Sequence, residues 1–232
     1  RRLDMSVSGV TASSYEDLAQ LIIAQQIELG VFSPAAYVMA KPMMQAVPIA
    51  TATQDGSPTY LGYIVTRGSE YGIRPTLEEL RGKSIAWVNK ESTSGYIYPR
   101  AMLAEKGIDA DAFFGKAQFA ENHEEALRRV IDGEVDVAAA ASPFVNPESH
   151  TTVPGSTQLV VVAKTRRIPL DCVVIHGRIE RDLAKSVRSA LLAMVRDHDG
   201  TSAKLDASWG LDGFVKPMRY DEVAAVLAAV KA

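Results

Sequence analysis

The chain has 232 residues, of which 47% are hydrophobic and 23% are charged, a composition typical of a folded protein and not of a disordered one. Its net charge of −3 argues against a nucleic-acid-binding protein, which normally carries a basic excess. A lone cysteine, Cys172, excludes an intrachain disulfide and a cysteine-based zinc site. Cys172 lies in an apolar run and is therefore expected to be buried.

Helical and strand-like apolar patterns alternate along the chain, which favours an α/β fold with a mostly parallel sheet. In chain order, the predicted elements are a helix near 15–22, strands at 27–32 and 60–66, a helix near 126–131, a strand at 135–141, and helices near 183–195 and 220–231. Asp55-Gly56-Ser57-Pro58 predicts a tight turn before the strand that begins at Tyr60.

A run of three hydroxyl residues, Ser92-Thr93-Ser94, follows a strand-like segment and precedes a helical pattern that extends to Lys106. A helix start carries free N–H groups and a partial positive charge, so hydroxyl donors placed there can hold an anion without Lys or Arg. Ser and Thr are also the ordinary N-caps of helices, and both interpretations remain open from these residues alone. Pro99 lies deep for a first-turn proline and predicts an irregular helix start.

Six segments of the chain carry distinctive motifs. The most specific is Ser92-Thr93-Ser94-Gly95-Tyr96 with Pro99 downstream. The others are Tyr15-Glu16-Asp17-Leu18, Ser33-Pro34-Ala35-Ala36-Tyr37, Asp55-Gly56-Ser57-Pro58-Thr59-Tyr60, His123-Glu124-Glu125-Ala126-Leu127 and Gly133-Glu134-Val135-Asp136-Val137-Ala138. In their sequence and order, these segments resemble those of the phosphonate-binding proteins of ABC importers. The resemblance extends from about Leu3 to about Ile175 and more weakly to the C-terminus.

This resemblance implies an α/β, two-lobed type II periplasmic-binding-protein fold with ligand held between the lobes. The first lobe would comprise residues 1–66 and 166–232, and the second lobe residues 67–165. The strand and helix with which the family normally begins have no counterpart before the segment that opens this chain. The expected fold therefore lacks that usual first strand and helix.

The resemblance also implies a ligand set, carried over position by position. Its members are Tyr15, Tyr60, Ser92, Thr93, Ser94, His123 and Asp171. Tyr, Ser and Thr hydroxyls and a histidine N–H can donate to anion oxygens. Asp171 would accept from a protonated ligand oxygen, a ligand amine or His123. If the pKa of His123 lies near neutrality, its protonation would strengthen anion binding.

A small ligand without a required amine is expected: phosphite, phosphate or methylphosphonate. Some aminophosphonate binders of the family carry a carboxylate in the turn after the strand at 135–141, where this chain has Ala138-Ala139-Ala140-Ala141-Ser142-Pro143. Asp171 is then the clear remaining carboxylate of the implied set.

The resemblance implies a solute-binding protein that delivers a small phosphorus oxyanion to the membrane component of an ABC importer, without a cofactor, a metal or a nucleic-acid partner. It would be periplasmic or otherwise extracytoplasmic, with a lipid anchor on a segment outside this chain as an option. The alternative is the extracytoplasmic sensing domain of a signalling receptor with the same fold. An enzyme such as a phosphatase is less well supported, because no Gly-x-Ser-x-Gly elbow surrounds Ser92 and no metal-ligand cluster is evident.

Overall fold

A computed structural model describes residues 5–68, 74–149, 151–194 and 210–231. The helices are α1 (Tyr15–Ile23), α2 (Pro34–Ala40), α3 (Tyr98–Glu105), α4 (Ala110–Phe113), α5 (His123–Ile131), α6 (Arg181–Leu192) and α7 (Asp221–Lys231). The strands are β1 (Leu29–Phe32), β2 (Ala46–Thr53), β3 (Thr59–Tyr60), β4 (Gly62–Arg67), β5 (Ser84–Trp87), β6 (Lys116–Phe119), β7 (Val137–Ala141), β8 (Leu159–Lys164), β9 (Ile168–Pro169), β10 (Cys172–His176) and β11 (Gly213–Val215).

The chain forms two compact units. The first comprises Arg1–Thr59 and Pro169–Asp221, and the second comprises Tyr60–Ile168 and Glu222–Ala232. The chain changes unit within β3, within β9 and again within α7, and β3 pairs with β9. The lobe boundaries expected from the sequence lie at 66/67 and 165/166.

The first unit contains a four-stranded sheet in the order β1-β10-β2-β11, in which the described pairings are antiparallel. The expectation of a mostly parallel sheet is therefore wrong for this unit. The reason is that β10 lies between β1 and β2 and runs against both, although it belongs to the segment that returns after the second unit. Alternation of helices and strands along the sequence does not reveal such an insertion.

The second unit contains a five-stranded sheet in the order β6-β5-β7-β4-β8. Strand β5 is parallel to β6 and β7, whereas β4 is antiparallel to β7 and β8. Successive residues of β4 enter the cores on opposite faces of the sheet. Ile64 belongs to the core of Trp87 and Leu103, and Val65 belongs to the core of Leu127 and Val130.

Local signals explain where the elements begin and end. The Asn122 side chain accepts the N–H of Glu125 and caps α5, and Gly133 follows this helix with a φ of 78°. The predicted turn is present, with positive φ at both Asp55 and Gly56, as a type I′ hairpin turn requires. Among the described residues, none of the helices combines the length and the apolar composition of a membrane span.

Candidate functional site

The helix that follows β5 begins with a π-helical turn, Thr93–Ile97, which continues directly into α3. The N–H of Ile97 donates to the carbonyl of Ser92 over 3.0 Å, and the N–H of Tyr98 donates to the carbonyl of Thr93. The irregular helix start expected from the sequence is therefore confirmed.

Pro99 accounts for this irregularity. In a regular α-helix the carbonyl of Gly95 would accept a hydrogen bond from the N–H of residue 99, which proline lacks. The Gly95 carbonyl instead accepts the N–H of Val88 over 3.2 Å. A Cβ atom on Gly95 would lie 2.4 Å from Cγ2 of Val88, so only glycine fits. The absence of a side chain on Gly95 allows Val88 to pack against this turn.

The three hydroxyl residues are buried but differ in their contacts. The Ser92 hydroxyl accepts the N–H of Gly95 over 3.0 Å, which is the capping role. Thr93 and Ser94 are each only 1% exposed. The Ser94 hydroxyl oxygen is buried and, among the described residues, has no hydrogen-bond partner. Because a buried hydroxyl without a partner is costly, this atom is a natural contact for a bound polar group.

His123 is the first residue of α5 and is partly buried, with its ring 5.1 Å from that of Phe144. Its Nδ1 accepts the N–H of Ala141 over 3.2 Å. An acceptor nitrogen carries no proton, so the imidazole is neutral and presents Nε2–H as its donor. Burial also lowers the pKa of His123 to about 4. The pKa of His123 is therefore not near neutrality, and the strengthening of anion binding that was conditional on a protonated His123 is not expected near pH 7.

Tyr60 lies on β3, two residues before Gly62, the first residue of β4. Gly62 is the cross-strand partner of Ala141. A Cβ atom on Gly62 would lie 2.9 Å from the carbonyl oxygen of Ser94, so the backbones of these two residues are in close contact. The second unit thus brings the segments bearing Tyr60, Ser94 and His123 to the carboxyl ends of β5 and β7. The carboxyl edge of a sheet is where open α/β folds bind their ligands.

The other two residues of the implied set belong to the first unit. Tyr15, the first residue of α1, stacks on Phe32 with ring centroids 6.0 Å apart. Phe32 pairs with Cys172, the neighbour of Asp171 in the chain, so Tyr15 and Asp171 lie near the same end of β1. Burial raises the pKa of Asp171 to about 7, which leaves a large share of this carboxyl protonated at neutral pH. Cys172 is buried, as expected.

Sequence reasoning missed two buried hydroxyl residues at this edge, Ser142 and Thr165. Ser142 accepts the N–H of Leu61 over 3.1 Å, and Thr165 accepts the N–H of Gly62 over 2.9 Å. Ser142 follows the apolar strand β7 directly, and a polar residue at that position was the available signal. Thr165 has no comparable local signal.

Comparisons with known proteins agree with this architecture. The family described as "ABC transporter, phosphonate, periplasmic substrate-binding protein" matches residues 1–221. The phosphate-import protein PhnD of Mycolicibacterium smegmatis is 31% identical over 149 residues, which are 60% of this chain and 46% of that protein. The chain thus matches about half the length of this curated relative.

Two solved structures have the same fold at low sequence identity. PhnD1 of Prochlorococcus marinus, in complex with methylphosphonate, has a TM-score of 0.81 and 18% identity over 99% of this chain and 88% of its own. A binding protein component of an ABC phosphonate transporter from Pseudomonas aeruginosa has a TM-score of 0.74 and 18% identity over 97% of this chain and 83% of its own. The expected type II periplasmic-binding-protein fold is confirmed. The chain belongs to the family of periplasmic substrate-binding proteins of phosphonate ABC transporters.

Proposed function

We propose that this protein binds a small phosphorus oxyanion, namely phosphate, phosphite or a simple phosphonate, and delivers it to the membrane component of an ABC importer. The observation that carries the proposal is the Ser94 hydroxyl, which is buried at a helix start and has no partner among the described residues. An anion oxygen at this position would satisfy it. The family of the chain supports the transport role.

The chemistry of the second unit suits an oxyanion held by neutral donors. The helix that begins at Thr93 directs its positive end and its first N–H groups toward the carboxyl edge of the sheet. Hydrogen bonds from neutral donors to a charged oxygen are stronger than those between neutral groups. We propose that Thr93, Ser94, Tyr60 and the Nε2–H of His123 supply such bonds, with Ser92 holding the turn as its cap.

Tyr15 and Asp171 complete the proposed ligand set on the strength of the family resemblance. A protonated Asp171 carboxyl can donate a hydrogen bond to an anion oxygen, which an ionised carboxylate cannot do. The raised pKa of Asp171 makes this form available at neutral pH. Its proposed role is therefore that of a donor to the anion.

We propose a binding role without catalysis. A nucleophilic serine needs an adjacent base within hydrogen-bond reach. The Ser94 hydroxyl contacts no base among the described residues, and the Nδ1 atom of His123 is occupied by the N–H of Ala141. The Ser92 hydroxyl caps the helix through Gly95.

A thermal-shift screen tests the proposal directly. The anions are phosphate, phosphite, methylphosphonate and 2-aminoethylphosphonate, with acetate at equal ionic strength as the control. A ligand at 100 times its Kd stabilises the folded state by about 2.7 kcal/mol, so a specific anion should raise the melting temperature in a saturable manner. No shift beyond that of acetate with any phosphorus anion would contradict the proposed function.

A further inference from the structure

The two residues that follow Tyr60 are held by a pair of buried hydroxyl residues in the same way. Leu61 donates its N–H to the Ser142 hydroxyl over 3.1 Å and accepts the N–H of Ser142 over 2.8 Å. Gly62 donates its N–H to the Thr165 hydroxyl over 2.9 Å and accepts the N–H of Thr165 over 2.9 Å. Each residue thus has both backbone groups bound to one partner.

These two contacts differ in how they connect to the candidate site. Thr165 also donates its hydroxyl to the carbonyl of Arg166, its neighbour in the chain. Ser142 instead follows Ala141, whose N–H is bound by His123. The dipeptide Ala141-Ser142 therefore holds the imidazole of His123 on one side and the segment after Tyr60 on the other.

We propose that Ser142 is a positioning residue for the anion site: its buried hydroxyl fixes Leu61, and through Leu61 it fixes the place of Tyr60 relative to His123. This inference rests on the proposed function. Ser142 is 5% exposed and Leu61 is partly buried, so Ser142→Ala takes away the acceptor of the Leu61 N–H at a site that is only partly open to water. The Leu61 carbonyl keeps the N–H of Ser142, so the expected change is a rotation of the Tyr60–Leu61 peptide, whose N–H has lost its acceptor, and this rotation displaces Tyr60.

Affinity measured in a double-mutant cycle separates positioning from general stabilisation. The variants are Ser142→Ala, Tyr60→Phe and the double variant, and the probes are methylphosphonate and inorganic phosphate. If Ser142 acts through Tyr60, we expect Ser142→Ala to weaken binding roughly tenfold in the parent and less than about twofold in the Tyr60→Phe background. Equal losses in both backgrounds would overturn the positioning role.

Ser84→Ala is the matched control. The Ser84 hydroxyl donates to the Asp136 carboxylate over 2.6 Å and accepts the N–H of Asp136 over 2.9 Å, at the opposite end of β7. This variant should lower the melting temperature and leave the affinity for methylphosphonate unchanged. An affinity loss equal to that of Ser142→Ala would show that both changes act through stability alone, and would overturn the proposal.

Ser142→Cys covers the case in which the alanine variant does not fold. Its thiol is somewhat larger than the hydroxyl and is a weak acceptor, so the affinity of this variant for the anion should fall in the same direction. Unchanged affinity in a folded Ser142→Cys protein would overturn the proposal. A wrong assignment of the anion site gives a different result. In that case Tyr60→Phe and Thr93→Ala would also bind both probes as the parent does.

Discussion

The Nδ1 atom of His123 lies 3.2 Å from the backbone nitrogen of Ala141 and accepts its N–H. This single contact sets the protonation state of the imidazole, because a protonated Nδ1 would face another donor. It places the only N–H of the ring on Nε2. A histidine in this state binds an anion as a neutral donor.

His123 should therefore stay neutral between pH 5.5 and 8, in the Nε2–H form. The unfolded chain takes up this proton near pH 6.5 and the folded chain only near pH 4, so the stability contributed by the neutral form is lost as the pH falls through this window. Nitrogen-15 NMR of the imidazole is the measurement. A titration midpoint near pH 6.5 would contradict the assignment.

Asp171→Asn should stabilise the ligand-free protein at pH 8 and have little effect at pH 4. The Asp171 carboxyl releases its proton near pH 3.8 in the unfolded chain and near pH 7 in the folded one, so stability falls as the pH rises through this window. Asparagine does not titrate and avoids that loss. Melting temperatures at the two pH values, in phosphate-free buffer, test this. If the melting temperatures of the variant and the parent differ by the same amount at pH 4 and pH 8, Asp171 is not a buried titrating carboxyl.

Gly95→Ala should destabilise the second unit by about 1–3 kcal/mol, the usual cost of overpacking a buried position. The added Cβ would lie 2.4 Å from Cγ2 of Val88 and 2.7 Å from its Cβ. Combining the change with Val88→Ala should recover part of the loss, as measured by urea unfolding. Gly9→Ala is the matched control, because nothing lies within 4 Å of a Cβ added there. Strictly additive losses at positions 88 and 95 would show that this contact is not the cause.

Methylphosphonate should bind at least as tightly as 2-aminoethylphosphonate. The turn after β7 carries Ser142 and Pro143 after a run of alanines and offers no carboxylate to an ammonium group. Burial keeps Asp171 partly protonated, which makes it a poor partner for a cation at neutral pH. Competition calorimetry with both ligands is the check. A strong preference for the amine would point to Asp171 as an ionised partner.

Local patterns were sufficient to predict the elements that build the site. The spacing of apolar residues predicted α1 and α5, and the depth of Pro99 predicted a distorted start for the helix after β5. The run of three hydroxyl residues could be identified in the sequence, but the sequence could not show that Ser92 is the one that caps the helix. Whether Ser92 caps the helix depends on the path of the backbone between Val88 and Gly95, which no single residue type encodes.

Contacts between distant segments could not be predicted from the sequence. Leu61 and Ser142 are 81 residues apart, and Gly62 and Thr165 are 103 residues apart. The insertion of β10 between β1 and β2 is equally remote in sequence. The protonation state of His123 depends on a backbone N–H 18 residues away. Such pairings arise from tertiary packing, on which hydrophobic periodicity carries no information.

The Ser94 hydroxyl is proposed to bind the anion, and the Ser94→Ala variant removes only this hydroxyl. Without ligand, the change removes a buried group that has no partner, so the melting temperature should stay the same or rise. Ser92→Ala, the control, removes the cap on Gly95 and should lower stability by about 0.5–2 kcal/mol.

Calorimetric titration of the Ser94→Ala variant with phosphate, phosphite and methylphosphonate is the decisive measurement. Loss of a hydrogen bond to a charged group should weaken binding of the preferred anion by about 1.5–3 kcal/mol, or roughly 10- to 150-fold. We expect this loss together with an undiminished melting temperature of the free protein. Affinity equal to that of the parent for all three anions would contradict it.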